Sequence, residues 1–128
     1  EKYRFYANGE FHADSDIVAF STTISDKRLK DEVVTIDSAL DKVKSLRGVE
    51  YVWNSGSKKG KKDLGVIAQE VEQVLPEIVT EKEMAFFGEE KYKTVDYEKL
   101  TAVLIESVKE LSIKIEALEN KKCNCNCK

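Results

Sequence analysis

A chain of 128 residues with a single histidine, three cysteines and a net charge of −3 leaves few routes to chemistry and suits one domain with a modest core. Charged residues make up 35%, but the two signs nearly balance, so no strong field draws in a nucleic acid or a membrane surface. No apolar run approaches the roughly 20 residues of a membrane span, and the N-terminus lacks the charged-then-apolar order of a signal peptide. The chain reads as a soluble piece of something longer. It begins at Glu1 and enters alternating aromatic sequence at once, so further residues are expected before it.

Tyr3, Phe5, Phe11 and Ala13 alternate with polar neighbours on either side of Asn8-Gly9, a dipeptide suited to a tight hairpin, which predicts two short strands. Ile17, Val18, Ala19 and Phe20 form a β-rich run that ends at Ser21-Thr22-Thr23 and delivers extended chain to Ser25. There, Ser25-Asp26-Lys27-Arg28-Leu29-Lys30 offers a hydroxyl and an amine five residues apart. A Ser-His-Asp triad would have to recruit His12, whereas a Ser-Lys dyad needs only Ser25 and Lys30. A serine followed by aspartate is also what a helix N-cap looks like, with the Ser25 oxygen accepting a backbone N–H, and the two roles are compatible.

Downstream, Asp37 is the expected cap of a helix that shows Leu40, Val43 and Leu46 on one face and stops at Gly48. Val49, Tyr51 and Trp53 alternate as a strand, with Trp53 a packing residue, and Ser55-Gly56-Ser57 with Lys58-Lys59-Gly60-Lys61-Lys62 reads as a solvated loop. Ile67, Val71, Val74 and Leu75 share one face of a helix over residues 66–75 that Pro76 cannot continue. Glu70 on that helix reads as structural, since a helical carboxylate is usually solvated or paired. Two strands, Ile78 to Glu83 and Glu90 to Val95, flank Phe86-Phe87-Gly88, whose aromatics are costly to leave in water and imply a covering partner surface.

From Asp96, an N-cap, helix formers run to Asn120, a span of roughly 36 Å. Leu104, Val108, Leu111, Ile115 and Leu118 alternate spacings of four and three, the seam of a coiled coil. Branched Val108 and Ile115 with leucine between them lean toward two strands, whereas Val103, Ile105 and Ile113 widen the face toward a larger bundle or packing on the globular part. Cys123, Cys125 and Cys127 alternate with asparagine, which is not the Cys-x-x-Cys pairing of common zinc sites. A metal shared between chains, interchain disulfides and an inert reduced tail stay open, with reduced thiols the default. No metal or cofactor is assigned.

Ser-Asp-x-Arg-x-Lys resembles the signature of the self-cleaving C-terminal intramolecular chaperone domain of phage tailspikes, endosialidases, neck appendages and tail fibres, related to a domain of myelin regulatory factor. The likeness continues through Leu64-Gly65-Val66-Ile67-Ala68-Gln69-Glu70-Val71, Leu75-Pro76-Glu77, and Val95-Asp96-Tyr97 with Leu100 leading into the long helix. It covers roughly residues 17–120 and leaves the cysteine tail outside the pattern. The resemblance implies that Ser25 is the nucleophile, Lys30 its base and Ile24–Ser25 the scissile bond, with Asp26 and Arg28 in support. A lysine has a pKa of about 10.4 in model peptides, so burial or a neighbouring positive charge, for which Arg28 is a candidate, would favour the neutral base.

The resemblance also implies a homotrimer, and a β-stalk of the same polypeptide as client, registered by the trimer and then released by autoproteolysis. The setting would be a phage tail or appendage precursor acting in the host cytoplasm during assembly. The expected fold is α+β, with short N-terminal strands, a small helix and strand body, and a long C-terminal helix in a trimeric bundle. Residues 1–24 would end the client stalk, 25–96 form the globular chaperone, 97–122 the trimerisation helix and 123–128 the cysteine tail. The competing reading is a non-catalytic trimerisation cap that stays attached.

Overall fold

The structure is a computed structural model that describes residues 23–83 and 90–124, with side chains through 121. The hairpin expected around Asn8-Gly9, the run into Ser21, His12, the Phe86-Phe87 tip and the thiols of the tail lie outside the described residues. Within them the chain is α+β. A 3-10 turn at Lys27–Leu29 precedes α1 (Ala39–Ser45), β1 (Val49–Val52), β2 (Lys62–Gly65) and α2 (Ala68–Val74). A second 3-10 turn at Pro76–Ile78 leads to β3 (Val79–Glu83), β4 (Lys91–Val95) and the long α3 (Tyr97–Asn124). The strands form two separate antiparallel pairs, β1 with β2 and β3 with β4.

Helix α2 follows its apolar stripe. Val71 and Leu75 are buried, Val74 packs against them, and Pro76 turns the chain into the 3-10 element that buries Ile78. The buried apolar cluster consists of Ala39, Val71, Leu75, Ile78 and Val103, with Ile36, Val43, Leu46, Val66, Val79, Val95 and Leu100 packed around it. Among the described residues five apolar side chains are buried, few enough that each carries a large share of the hydrophobic stabilisation.

Two expectations need correction. Asp37 does not cap α1: Ser38 precedes the helix in the left-handed region at φ 52°, and its hydroxyl bonds Asp37 instead. The cap comes from α3, where Glu110 accepts the N–H of Ala39 at 2.8 Å and of Leu40 at 3.0 Å. Two of the N–H groups that a helix start leaves without internal partners are thus satisfied from 71 and 70 residues away.

The lysine run, in turn, is shorter as a loop than its charge suggests. Lys62 and Asp63 belong to β2, paired from Val49 opposite Gly65 to Val52 opposite Lys62. The Trp53 carbonyl accepts from Gly60 N–H at 2.7 Å, and the Trp53 N–H donates to the Lys61 carbonyl at 3.0 Å. Gly60 sits at φ +82°, where a side chain would be strained, and this allows the chain to reverse there.

Helix α3 divides its faces. Leu100, Val103 and Ser107 lie toward the body, and Val103 and Ser107 are each only 4% exposed. Leu104, Val108, Leu111, Ile115 and Leu118 form a separate stripe, 45–63% exposed in the single chain. Val103 therefore packs on the globular part, whereas Ile105 and Ile113 remain in solvent.

Candidate functional site

The 3-10 turn that holds the Ser-Lys pair is set by Asp26, in extended conformation at φ −66°, ψ 133°. Its Oδ1 accepts the backbone N–H of Arg28 at 2.8 Å, which is the cap of the turn. The Arg28 guanidinium closes on the same carboxylate, Nε to Oδ1 at 3.0 Å and Nη2 to Oδ2 at 2.8 Å. That side-chain bonding, followed by the backbone bond from Arg28, holds the Asp26 carboxyl below its ordinary range.

Capping thus falls to Asp26 and not, as the sequence suggested, to Ser25. The Ser25 hydroxyl goes to Lys30 instead: Lys30 leaves the turn in extended conformation and its Nζ donates to Ser25 Oγ at 2.6 Å. Five residues apart on a regular α-helix the two side chains would diverge by about 140°; a single tight turn with extended flanks brings them together.

Ser25 and Lys30 are both exposed in the single chain, and Arg28, engaged by Asp26, is not offered to Lys30 as an unpaired charge. Ile24 is 79% exposed. One residue before it, the Thr23 hydroxyl donates to Glu98 Oε2 in the first turn of α3 at 3.1 Å. This contact ties the approach to Ser25 to the long helix. Nothing in the spacing of the sequence announces it, because it joins residues 75 apart.

The remaining polar positions are structural. Glu70 pairs with Arg47, whose guanidinium hydrogen bonds hold that carboxyl below its usual range. Asp63 accepts the Trp53 indole N–H at 3.0 Å and the Leu64 N–H at 2.9 Å, and these two bonds lower its pKa. Trp53 packs edge-on against Tyr51 at 5.3 Å between ring centroids. Tyr51, Trp53, Ile67, Gln69, Tyr92 and Tyr97 line a groove of about 720 Å³. The Tyr97 hydroxyl accepts the Val66 N–H at 3.1 Å, and a Cβ on Gly65 would fall 2.5 Å from that oxygen. The Leu64-Gly65-Val66 and Val95-Asp96-Tyr97 stretches therefore meet in space. Among the described residues no group of three or more His, Cys, Asp or Glu side chains could hold a metal ion, and no helix is long and apolar enough to cross a membrane.

With this geometry in hand, comparison with known proteins is specific. The family model described as the chaperone of endosialidase matches residues 25–80, from Ser25 itself to the start of β3. Over those residues the chain is similar to that family. The family is known for self-cleaving activity. The chain is also 37% identical over 122 residues to the long tail fibre protein Gp37 of Enterobacteria phage K3, and by the same margin to that of Enterobacteria phage T2. These alignments take in 91% of this chain but 9% of each tail fibre protein. The chain thus corresponds to a small part of much longer relatives.

Proposed function

We propose that this segment is an intramolecular chaperone of a phage tail fibre, which trimerises through α3, registers the β-stalk that precedes it in the same polypeptide, and then releases itself at Ile24–Ser25. The observation that carries the reading is the 2.6 Å contact between Lys30 Nζ and Ser25 Oγ, held by a turn whose cap is supplied by another residue. Non-local strand pairing pays chain entropy before contacts repay it, and a helical trimer that sets the register beforehand removes part of that cost. The exposed stripe from Leu104 to Leu118 supports the trimer, since packing between copies would take it out of water. Neighbouring copies would also supply the cover that a single chain does not give Ser25 and Lys30.

In the chemistry proposed, neutral Lys30 takes the Ser25 proton and Oγ bonds to the Ile24 carbonyl carbon. The Ile24–Ser25 C–N bond breaks, and the proton passes from Lys30 to the departing Ser25 nitrogen. Water then adds to the resulting ester, its O–C bond breaks, and the products are an Ile24 carboxylate and a Ser25 residue with a free amine and its hydroxyl restored. One water is consumed in all.

A chain carrying native upstream sequence should yield a new N-terminus at Ser25, detected by mass spectrometry of the denatured sample, and light scattering should report three copies. Ser25→Ala should abolish the cut. Lys30→Arg should also be inactive, because a guanidinium stays protonated and cannot accept the serine proton. Efficient cutting by Lys30→Arg, or a new N-terminus elsewhere, would refute the mechanism. An intact trimer after prolonged incubation would leave the non-catalytic cap.

A further inference from the structure

We infer that Glu98 is a positioning residue for the Ile24–Ser25 bond, acting through the Thr23 hydroxyl; the inference rests on the self-cleavage reading above. Attack on the Ile24 carbonyl requires that carbon to be held beside Ser25 Oγ. Downstream the chain is fixed by the Asp26 cap and by the bonds from Leu29 N–H to the Asp26 carbonyl and from Lys30 N–H to the Lys27 carbonyl, each 3.1 Å. Those bonds hold the nucleophile and say nothing of the acyl side.

On that side Ile24 is 79% exposed and contributes little packing, so its own side chain does not orient its carbonyl. The hydrogen bond from Thr23 Oγ1 to Glu98 Oε2 is placed to do so. Thr23 and Asp26 then pin the chain on either side of the scissile peptide. Because a residue spans at most about 3.6 Å, two such anchors leave the Ile24 carbonyl little room to wander from Oγ.

An acidic residue in the first turn is also ordinary helix chemistry, favoured by the positive end of the helix dipole. Here, however, Asp96 at the same helix start takes the ion pair with Lys99 at 3.3 Å, and the Glu98 carboxylate faces the segment before Ser25. The anchor exists only when the first turn of α3 is wound. Cleavage geometry is thereby coupled to the helix whose apolar stripe brings copies together, and an unassembled chain with a frayed α3 holds its scissile bond poorly.

The test follows release of the Ser25 amine as a first-order process in the full chain with its upstream stalk. Thr23→Val and Glu98→Ala should each slow cleavage by about 10- to 100-fold, with oligomer mass and melting temperature unchanged. The double variant should be no slower than the slower single variant, since both remove one contact. Glu98→Gln, which keeps an acceptor for the Thr23 hydroxyl, should recover most of the rate. In all of them the rate should rise with pH over the same range as in wild type and reach a lower plateau, because Lys30 remains the base.

Wild-type cutting alongside a Glu98→Ala chain that cuts equally fast would overturn the inference, as would slowing by the two single variants that multiplies in the double. A wild-type chain that never cuts would remove the self-cleavage reading and this inference with it.

Discussion

The body of the domain and the segment that carries Ser25 and Lys30 are held by different forces. In the body, α1 lies along α3 and α2 packs against β3, β4 and the second 3-10 turn, with Val71 and Leu75 almost fully buried and Glu110 bonding one helix to the start of another. From Thr23 to Val34 every residue is exposed, and Ile24, Leu29, Val33 and Val34 present 69–85% of their surface. That stretch keeps its shape through local hydrogen bonds at Asp26 and one long-range bond from Thr23. The contrast teaches that folding and the site chemistry draw on nearly separate sets of residues. Damage to the one should be readable without damage to the other.

The largest effect should come from the body. Leu75→Ala, at a side chain 2% exposed in the buried apolar cluster, should cost about 2–5 kcal/mol in a denaturant titration. Ser25→Ala in the same assay should stay within about 0.5 kcal/mol of wild type, because the turn keeps its Asp26 cap. A Ser25→Ala loss comparable to that of Leu75→Ala would erase the distinction.

An intermediate effect should appear within the body, where α3 caps the start of α1. Glu110→Ala removes the acceptor for Ala39 and Leu40 N–H and should cost about 1–2 kcal/mol. Asp37→Ala should cost far less, since the Asp37 carboxylate bonds Ser38 and leaves the α1 N–H groups alone. Equal losses from the two substitutions would return the cap to Asp37.

The smallest effect is a local titration. Trp53 is the only tryptophan, so its fluorescence reports Asp63 directly. The folded-state pKa of Asp63 is depressed, so its contribution to stability is fully present above the ordinary aspartate value and is lost as pH falls through the lower folded value. Acid titration should show a fluorescence step below the usual aspartate range, absent in Asp63→Asn, while the α3 helical signal is unchanged at that step. A step that survives in Asp63→Asn would point to a different group.

Much of the body was legible because its signals are periodic or terminal. The stripe Ile67, Val71, Val74 and Leu75 with Pro76 behind it gave α2, the alternating residues on either side of the aromatic tip gave β3 and β4, and Asp96 marked the start of α3. What escaped is long-range. A strand of Lys62, Asp63, Leu64 and Gly65 has no apolar alternation to announce it, and it exists because β1 offers an edge and Trp53 offers Asp63 a donor. The Glu110 cap and the Glu98 contact join residues 70 or more apart, beyond any local pattern.

At the site, the spacing pointed to Ser25 and Lys30, whose catalytic roles are proposed above, but it placed the cap elsewhere than the structure does. It read Ser25 as both cap and nucleophile and Arg28 as a neighbour for Lys30, whereas Asp26 takes the backbone bond and the guanidinium as well. The side chain one atom longer than serine, with a second oxygen, can satisfy both partners at once.

That substitution of duties between adjacent positions has an evolutionary reading. Since the cap of the turn comes from Asp26 and its other bonds from the backbone, position 25 is under no conformational obligation to remain serine. On the cleavage reading proposed above, a lineage with no need for the cut could drift there without losing its scaffold, and laboratory replacement of the hydroxyl by a thiol at the same position meets no folding barrier from the cap. A silent relative would then be recognised by an intact aspartate beside a missing hydroxyl.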